Sequence, residues 1–151
     1  MKLRKIKIVA LIPTKAGCAL FLGDDKKVIH FFIDLHVGAS INFTLTGEVR
    51  DRPLTHDLFS QTLDMLGAKM NKMIITDRVE DIFYARVYME MKNEVSERKI
   101  VVLDSRPSDA LALAVRQGAA LYIEESVMDA SEDRTDLLEQ LRDQADDFDE
   151  E

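Results

Sequence analysis

The chain has a single cysteine, Cys18. No internal disulfide can brace it, and a reducing cytoplasm is the compartment that suits it. No apolar run approaches the roughly 18 residues of a membrane-spanning helix. The opening MKLRKIKIVALIP is interrupted by charge as far as Lys7, so it reads as a strand rather than an export signal. P-loop, GxGxxG, GxSxG and CxxC patterns are all missing, which removes the commonest nucleotide, esterase and redox signatures. There is no repeat of solenoid length and no low-complexity linker. Net positive charge is missing too: the balance is -8, which argues against generic nucleic-acid binding by the chain as a whole.

What is present is enough for one domain. The 151 residues are 46% hydrophobic, so a real core is expected. The charge is unevenly spread. Residues 124–151 hold thirteen Asp and Glu against two Arg, a local balance of -11, while the remaining 123 residues balance at +3. The body is therefore mildly basic and leaves nucleic acid open. The natural division is a domain over 1–129 and an acidic C-terminal helix or tail over 130–151. Such a tail is either solvated or laid over a basic surface of its own chain.

Residues 3–12 alternate, with Ile6, Ile8, Ala10 and Ile12 on one face and Lys5 and Lys7 on the other, which predicts a half-buried strand. GCALFLGDD and KKVIHFFIDLHV follow and complete an antiparallel meander. GASINFTLTG reads as a short helix capped by Gly47. RPLTHDLFSQTLDMLGAK is a second helix with Thr55 as N-cap, Asp57 in the first turn, and Phe59, Leu63 and Leu66 as its buried stripe. KMIITDRV, IFYARVYMEMK and RKIVVLD are three more strands, turned by VEDI and KNEVSE. In the second of these, Phe83, Ala85, Val87, Met89 and Met91 share a face, and Tyr84, Arg86, Tyr88 and Glu90 share the other. A helix opens at Pro107 with Arg106 outside it, since a residue before proline avoids the helical region. There Asp109 is expected to reach back to the free N–H groups, and Gly118 closes the helix. ALYIEE is a last strand. The terminal helix carries a thin stripe of Leu137, Leu138 and Leu141 for the surface or a partner. This order fits an α+β fold, with a mixed, mainly antiparallel sheet and three to four helices in a single domain.

The chemistry concentrates at two Arg-Pro helix starts, RPLTHD (52–57) and RPSDA (106–110). A helix start offers free N–H donors and the positive end of its dipole, and an adjacent Arg adds a two-pronged donor. One reading is an anion or phosphate site framed by Arg52, Thr55, Arg106 and Ser108. The other is ordinary capping, with Asp57 and Asp109 paired to the two arginines. His56 is placed to move protons or contact phosphate. Asp57, Asp104 and Asp109 are the carboxylates available to a two-metal phosphodiesterase. His30, Asp34 and His36 at ladder spacing are either a zinc or manganese set or a solvent-facing row on an edge strand. Tyr84, Arg86 and Tyr88 are either a base-stacking row or a surface packed beneath a helix or against another subunit.

RPLTHDL, FYARVYM and DSRPSDALALAVR, in that order and spacing, resemble the bifunctional nuclease family over about residues 5–129. The resemblance implies a compact α+β fold that forms a homodimer or larger homo-oligomer, and a DNase and RNase activity; joined to the doubled Arg-Pro helix start it gives a phosphodiesterase assisted by Mg²⁺ or Mn²⁺. Non-catalytic nucleic-acid binding by an oligomeric, regulatory module is the alternative. Carried over by position, the signature residues are Arg52, Pro53, Thr55, His56 and Asp57, then Phe83, Tyr84, Ala85 and Arg86, then Asp104, Arg106, Pro107, Ser108, Asp109 and Arg116. No catalytic mechanism follows from the resemblance; the residues themselves offer His56, Asp57, Asp104 and Asp109 as a catalytic set, with Asp104 and Asp109 as metal ligands. Where relatives carry a Glu-Ala pair opening the first helix, this chain has Ile41 and Asn42.

Overall fold

Alternation of apolar and polar residues draws the first three segments into a meander: β1 (Leu3–Thr14), β2 (Gly17–Gly23) and β3 (Val28–Ile33), paired antiparallel. Two helices follow, α1 (Leu35–Thr46) and α2 (Thr55–Met65). A second antiparallel set is built from β4 (Ala68–Val79), β5 (Ile82–Lys92) and β6 (Arg98–Ser105). Then come α3 (Pro107–Gln117), β7 (Ala120–Glu124), α4 (Glu125–Ala130) and α5 (Thr135–Asp149). The computed structural model describes residues 2–92, 94–95 and 97–149. Asn93 and Ser96 of the expected KNEVSE turn lie outside the described residues.

The seven strands make one sheet in the order β3-β2-β1-β7-β4-β5-β6. β7 joins the two antiparallel sets, antiparallel to β1 and parallel to β4. The fold is α+β with a mixed, mainly antiparallel sheet, as expected, although the described residues form five helices rather than three or four. On β2 the period of two splits the core. Cys18, Leu20 and Leu22 face one cluster together with Ile41 of α1, Leu63 of α2, Ala110–Ala114 of α3 and Met128 of α4. Ala19 and Phe21 face the other way, onto Leu138 of α5. On the outward side of β5 and β6, Tyr84, Arg86 and Val102 are exposed, while Ala85, Val87 and Met89 beneath are buried.

Five local expectations are corrected. β3 stops at Ile33, and Asp34 caps α1 by accepting a hydrogen bond from the His36 backbone N–H (2.7 Å). His30, Asp34 and His36 therefore do not share a strand face. A carboxylate placed to satisfy a helix start outweighs the strand preference of the flanking apolar residues. Second, Leu54 in extended conformation, not Thr55, is the N-cap of α2, and Thr55 is its first residue. Third, α2 turns Ser60 and Leu63 inward while Phe59 and Leu66 stay exposed. The Gln117 Nε2 amide, donating to Ser60 Oγ (2.6 Å), satisfies the buried hydroxyl. Fourth, Asp109 makes no cap to the α3 backbone; its carboxylate is taken by side chains. Fifth, the Leu137, Leu138 and Leu141 stripe is not left for the surface but closes the second face of the sheet. The glycine stops hold: Gly47 and Gly118 end α1 and α3 in left-handed conformation (φ 70° and 63°).

Candidate functional site at the meeting of three helices

α3 determines where the site forms. Its Ala110, Ala112 and Ala114 are buried, and these short side chains let α1 and α2 come close. The polar residues at the seam then have to satisfy one another. Arg116, in the last turn of α3, is 6% exposed at its side chain. Its Nε donates to Asp57 Oδ1 (2.7 Å), its Nη1 to the Ala112 carbonyl (2.8 Å), and its Nη2 to Ser40 Oγ (2.8 Å) and the Ser40 carbonyl (3.2 Å). The other Asp57 oxygen accepts from the Leu54 backbone N–H (2.8 Å), which fixes the start of α2.

His56 extends the network. Its Nδ1 lies 3.4 Å from Ser40 Oγ and its Nε2 lies 3.1 Å from Asp109 Oδ1. Arg116 donates to Ser40 Oγ, which leaves the serine proton for Nδ1. When the ring is neutral, Nε2 then carries its proton toward Asp109. The second Asp109 oxygen accepts from Arg106 Nε (2.7 Å). One continuous chain of polar contacts thus runs Arg106, Asp109, His56, Ser40, Arg116, Asp57, and on to the Leu54 backbone.

Burial works to raise both carboxyls, but their partners outweigh it. Asp57 is held below its ordinary value by the Arg116 hydrogen bond, the Leu54 N–H and the nearby positive charges. Asp109 is held down by its hydrogen bonds to Arg106 and His56 and by their charges. The Asp109 hydrogen bond in turn raises Arg106.

The two helix starts do meet, through His56 and Asp109, but not by sharing their arginines. Arg52 is exposed beside a hollow of about 440 Å³ shared with Phe43, Asp57 and Arg116. Arg106 and Ser108 border a different one, with Phe31 and Asp34. Thr55 and Asp104 stand with His56 and Asp109 around a third hollow of about 260 Å³, whose walls are Phe59, Val87, Met89, Leu103 and Leu113. Asp104 has no hydrogen-bond or ion-pair partner among the described residues; its cross-strand neighbour is Arg86. The guanidinium that serves the start of α2 is therefore Arg116, seven residues after Asp109. Helical periodicity puts those two on one face of α3, and that spacing was the available signal. Ser40 carried none, since only the tertiary fold brings it beneath His56.

These residues do not form a metal cage. Both Asp109 oxygens are engaged, Asp104 stands alone, and among the described residues no three His, Cys, Asp or Glu converge. Ile41, where the resemblance implies a Glu-Ala pair, is fully buried in the core.

The fold and its seam define an α+β domain with a His-Asp-Arg cluster at the junction of two helix starts. The bifunctional nuclease domain matches residues 20–136, and the chain belongs to that family. It is 36% identical over 90 residues to an uncharacterized protein of Mycobacterium tuberculosis, found in two strains, covering 60% of this chain and 50% of that protein. It is 31% identical over 65 residues to bifunctional nuclease 1 of Arabidopsis thaliana, covering 43% of this chain and 19% of that one. The chain thus spans half or less of the curated relatives it matches.

Proposed function

We propose that the protein is a nuclease, hydrolysing phosphodiesters of DNA or RNA at the hollow between α2, α3 and β5–β6. The observation that carries this reading is the His56–Asp109 hydrogen bond at the hollow, with the Arg106 side chain, 70% exposed, on the same carboxylate. Phosphodiester hydrolysis needs a cation on the phosphate and a group that moves a proton between water and leaving oxygen. Arg106 supplies the cation, next to the free N–H groups opening α3. The Ser108 hydroxyl borders the same hollow as Arg106, the Thr55 hydroxyl borders the one that holds His56, and Arg52 follows the phosphate backbone further out. His56 carries the proton. Asp109 orients its ring and offsets the charge it gains. Asp57, occupied by Arg116 and Leu54, positions the start of α2.

Mg²⁺ or Mn²⁺ would arrive with the substrate, and Asp104, at the rim of the hollow, is the carboxylate there with no side-chain partner among the described residues. The setting we propose is the cytoplasm, where the single buried Cys18 stays reduced. No described helix is long and apolar enough to cross a membrane. A homodimer or larger homo-oligomer is part of the same reading, supported by Leu58, Met65 and Leu66 standing exposed on α2.

One observation favours a second reading, a non-catalytic anion- or nucleic-acid-binding regulatory module. Both His56 ring nitrogens have partners and Arg106 is already matched by Asp109, so the cluster is closed on itself. Single-stranded RNA and DNA incubated with the purified protein, with and without each ion, separate the two. The nuclease reading expects cleavage that falls about a hundredfold or more in His56→Ala and Asp109→Ala. Cleavage equal in all three proteins, or binding without cleavage, overturns it.

A further inference from the structure

We propose that the outward face of β7, β4, β5 and β6 is a stacking platform for single-stranded nucleic acid, which rests on the nuclease reading above and gives it a track for substrate. The chain has three tyrosines, and strand register puts all three on this face. Lys5 lies opposite Tyr122, Tyr122 opposite Ile74, Ile74 opposite Arg86, and Arg86 opposite Asp104, so one row crosses five strands from β1 to β6, with Ile74 buried between its neighbours and the one carboxylate at the β6 end. In the next row Lys72 lies opposite Tyr88 and Tyr88 opposite Val102. The Lys72 ammonium sits 4.9 Å from the Tyr88 ring centre. Tyr84, one step further along β5, is 41% exposed. α5 covers this side of the sheet only over β1–β3, where Leu138 meets Ala19, Phe21 and Val28.

Charge selects the occupant. Lys5, Lys72 and Arg86 have no carboxylate partner among the described residues, whereas Arg106 and Arg116 each have one. Unpaired cations interleaved with aromatic rings match a phosphate backbone with bases splayed from it. A duplex keeps its base faces stacked inside and cannot use the rings. β6 joins the platform to the site: Val102 and Asp104 lie in the platform rows, and Leu103 and Ser105 between and beyond them border the hollow that holds His56 and Asp109. A strand stacked on the tyrosines and passing over β6 reaches that pair.

The test is fluorescence anisotropy with a labelled, cleavage-resistant 2′-O-methyl oligouridine of about twelve nucleotides, a length on the scale of one single-strand site. Native protein is compared with Tyr84→Ala, Tyr88→Ala, the matching Tyr→Phe variants, and Lys72→Glu/Arg86→Glu. We expect each Ala variant to weaken binding roughly five- to hundredfold. The Phe variants should bind like native, charge reversal should abolish binding, and duplex RNA should compete poorly. Folded Tyr84→Ala and Lys72→Glu/Arg86→Glu proteins that bind as native does overturn the platform, even if Tyr88→Ala is too unstable to use. Light scattering that shows these variants dissolving an oligomer, with binding unchanged, also overturns it and makes the face a self-interface. Cleavage lost in His56→Ala while the tyrosine variants bind normally removes the platform and leaves the nuclease reading. Ring-dependent binding by a protein that never cleaves does the reverse.

Discussion

Arg116 is the residue on which the seam depends. It is 6% exposed and spends its donors on Asp57, Ser40 and Ala112. Arg116→Ala leaves Asp57 with only the Leu54 N–H and takes the donor from Ser40 Oγ, and is expected to cost about 3 kcal/mol, read as a lower urea midpoint. Arg52→Ala, at an exposed residue with no ion pair among the described residues, should stay within about 0.5 kcal/mol. Equal losses at the two positions would remove Arg116 from its central place. Asp57 and Asp109 add a pH dependence. Both carboxyls are lower in the folded protein than their ordinary 3.8. Their stabilisation is therefore complete above that value and is lost as pH falls through it and through the lower folded values. Unfolding midpoints should be flat from neutrality to about pH 5 and drop below about pH 4, with a shallower drop in Asp57→Asn. The side chains are 30% and 34% exposed, so solvent trims the size of the effect. Among these residues the sequence showed Asp57, His56, Arg106 and Asp109 as a polar surplus at helix starts. It could not show which arginine served which aspartate, because that choice depends on how the two helices cross.

At the level of elements, α1 is where reading and structure part. IDLHV looks extended because Ile and Val favour strands, yet Asp34 caps a helix there and the backbone turns. The close seating of α1 on β2 explains Gly38. A Cβ at that position would stand 2.8 Å from the Cys18 Cβ and 3.1 Å from its Sγ. Gly38→Ala should therefore destabilise by about 1–3 kcal/mol despite alanine's better helix propensity. A gain in melting temperature instead would mean that the helix can lift off the sheet at no cost. β5 was legible in full, since its period of two separates Ala85, Val87 and Met89 from Tyr84 and Arg86 whatever surrounds it. The exposed Phe59 and Leu66 of α2 were not, because a helix at the rim of a layer buries a narrower stripe than its composition suggests.

For the whole molecule, the acidic C-terminal segment changes meaning. Its balance of -11 suggests solvated tail or polyanion mimic, but Leu138 is 3% exposed and seals Ala19, Phe21 and Val28. Charge along a helix says nothing about a three-leucine stripe on its other side. Leu138→Ala should cost about 2–4 kcal/mol. Removing residues 131–151 should expose the outer side of β1–β3, seen as dye binding and aggregation. A truncated protein that melts like the full chain would return this helix to the role of a tail.

β7 has a consequence for synthesis. It sits between β1 and β4 in the sheet, yet only residues 120–124 build it. The first hairpin, complete by Gly23, and the second, complete by Lys92, share no strand until then. On a ribosome adding about 5–20 residues per second, two half-sheets must wait for seconds, each with a raw edge, before a five-residue keystone drops between them and the nascent chain commits to its native form.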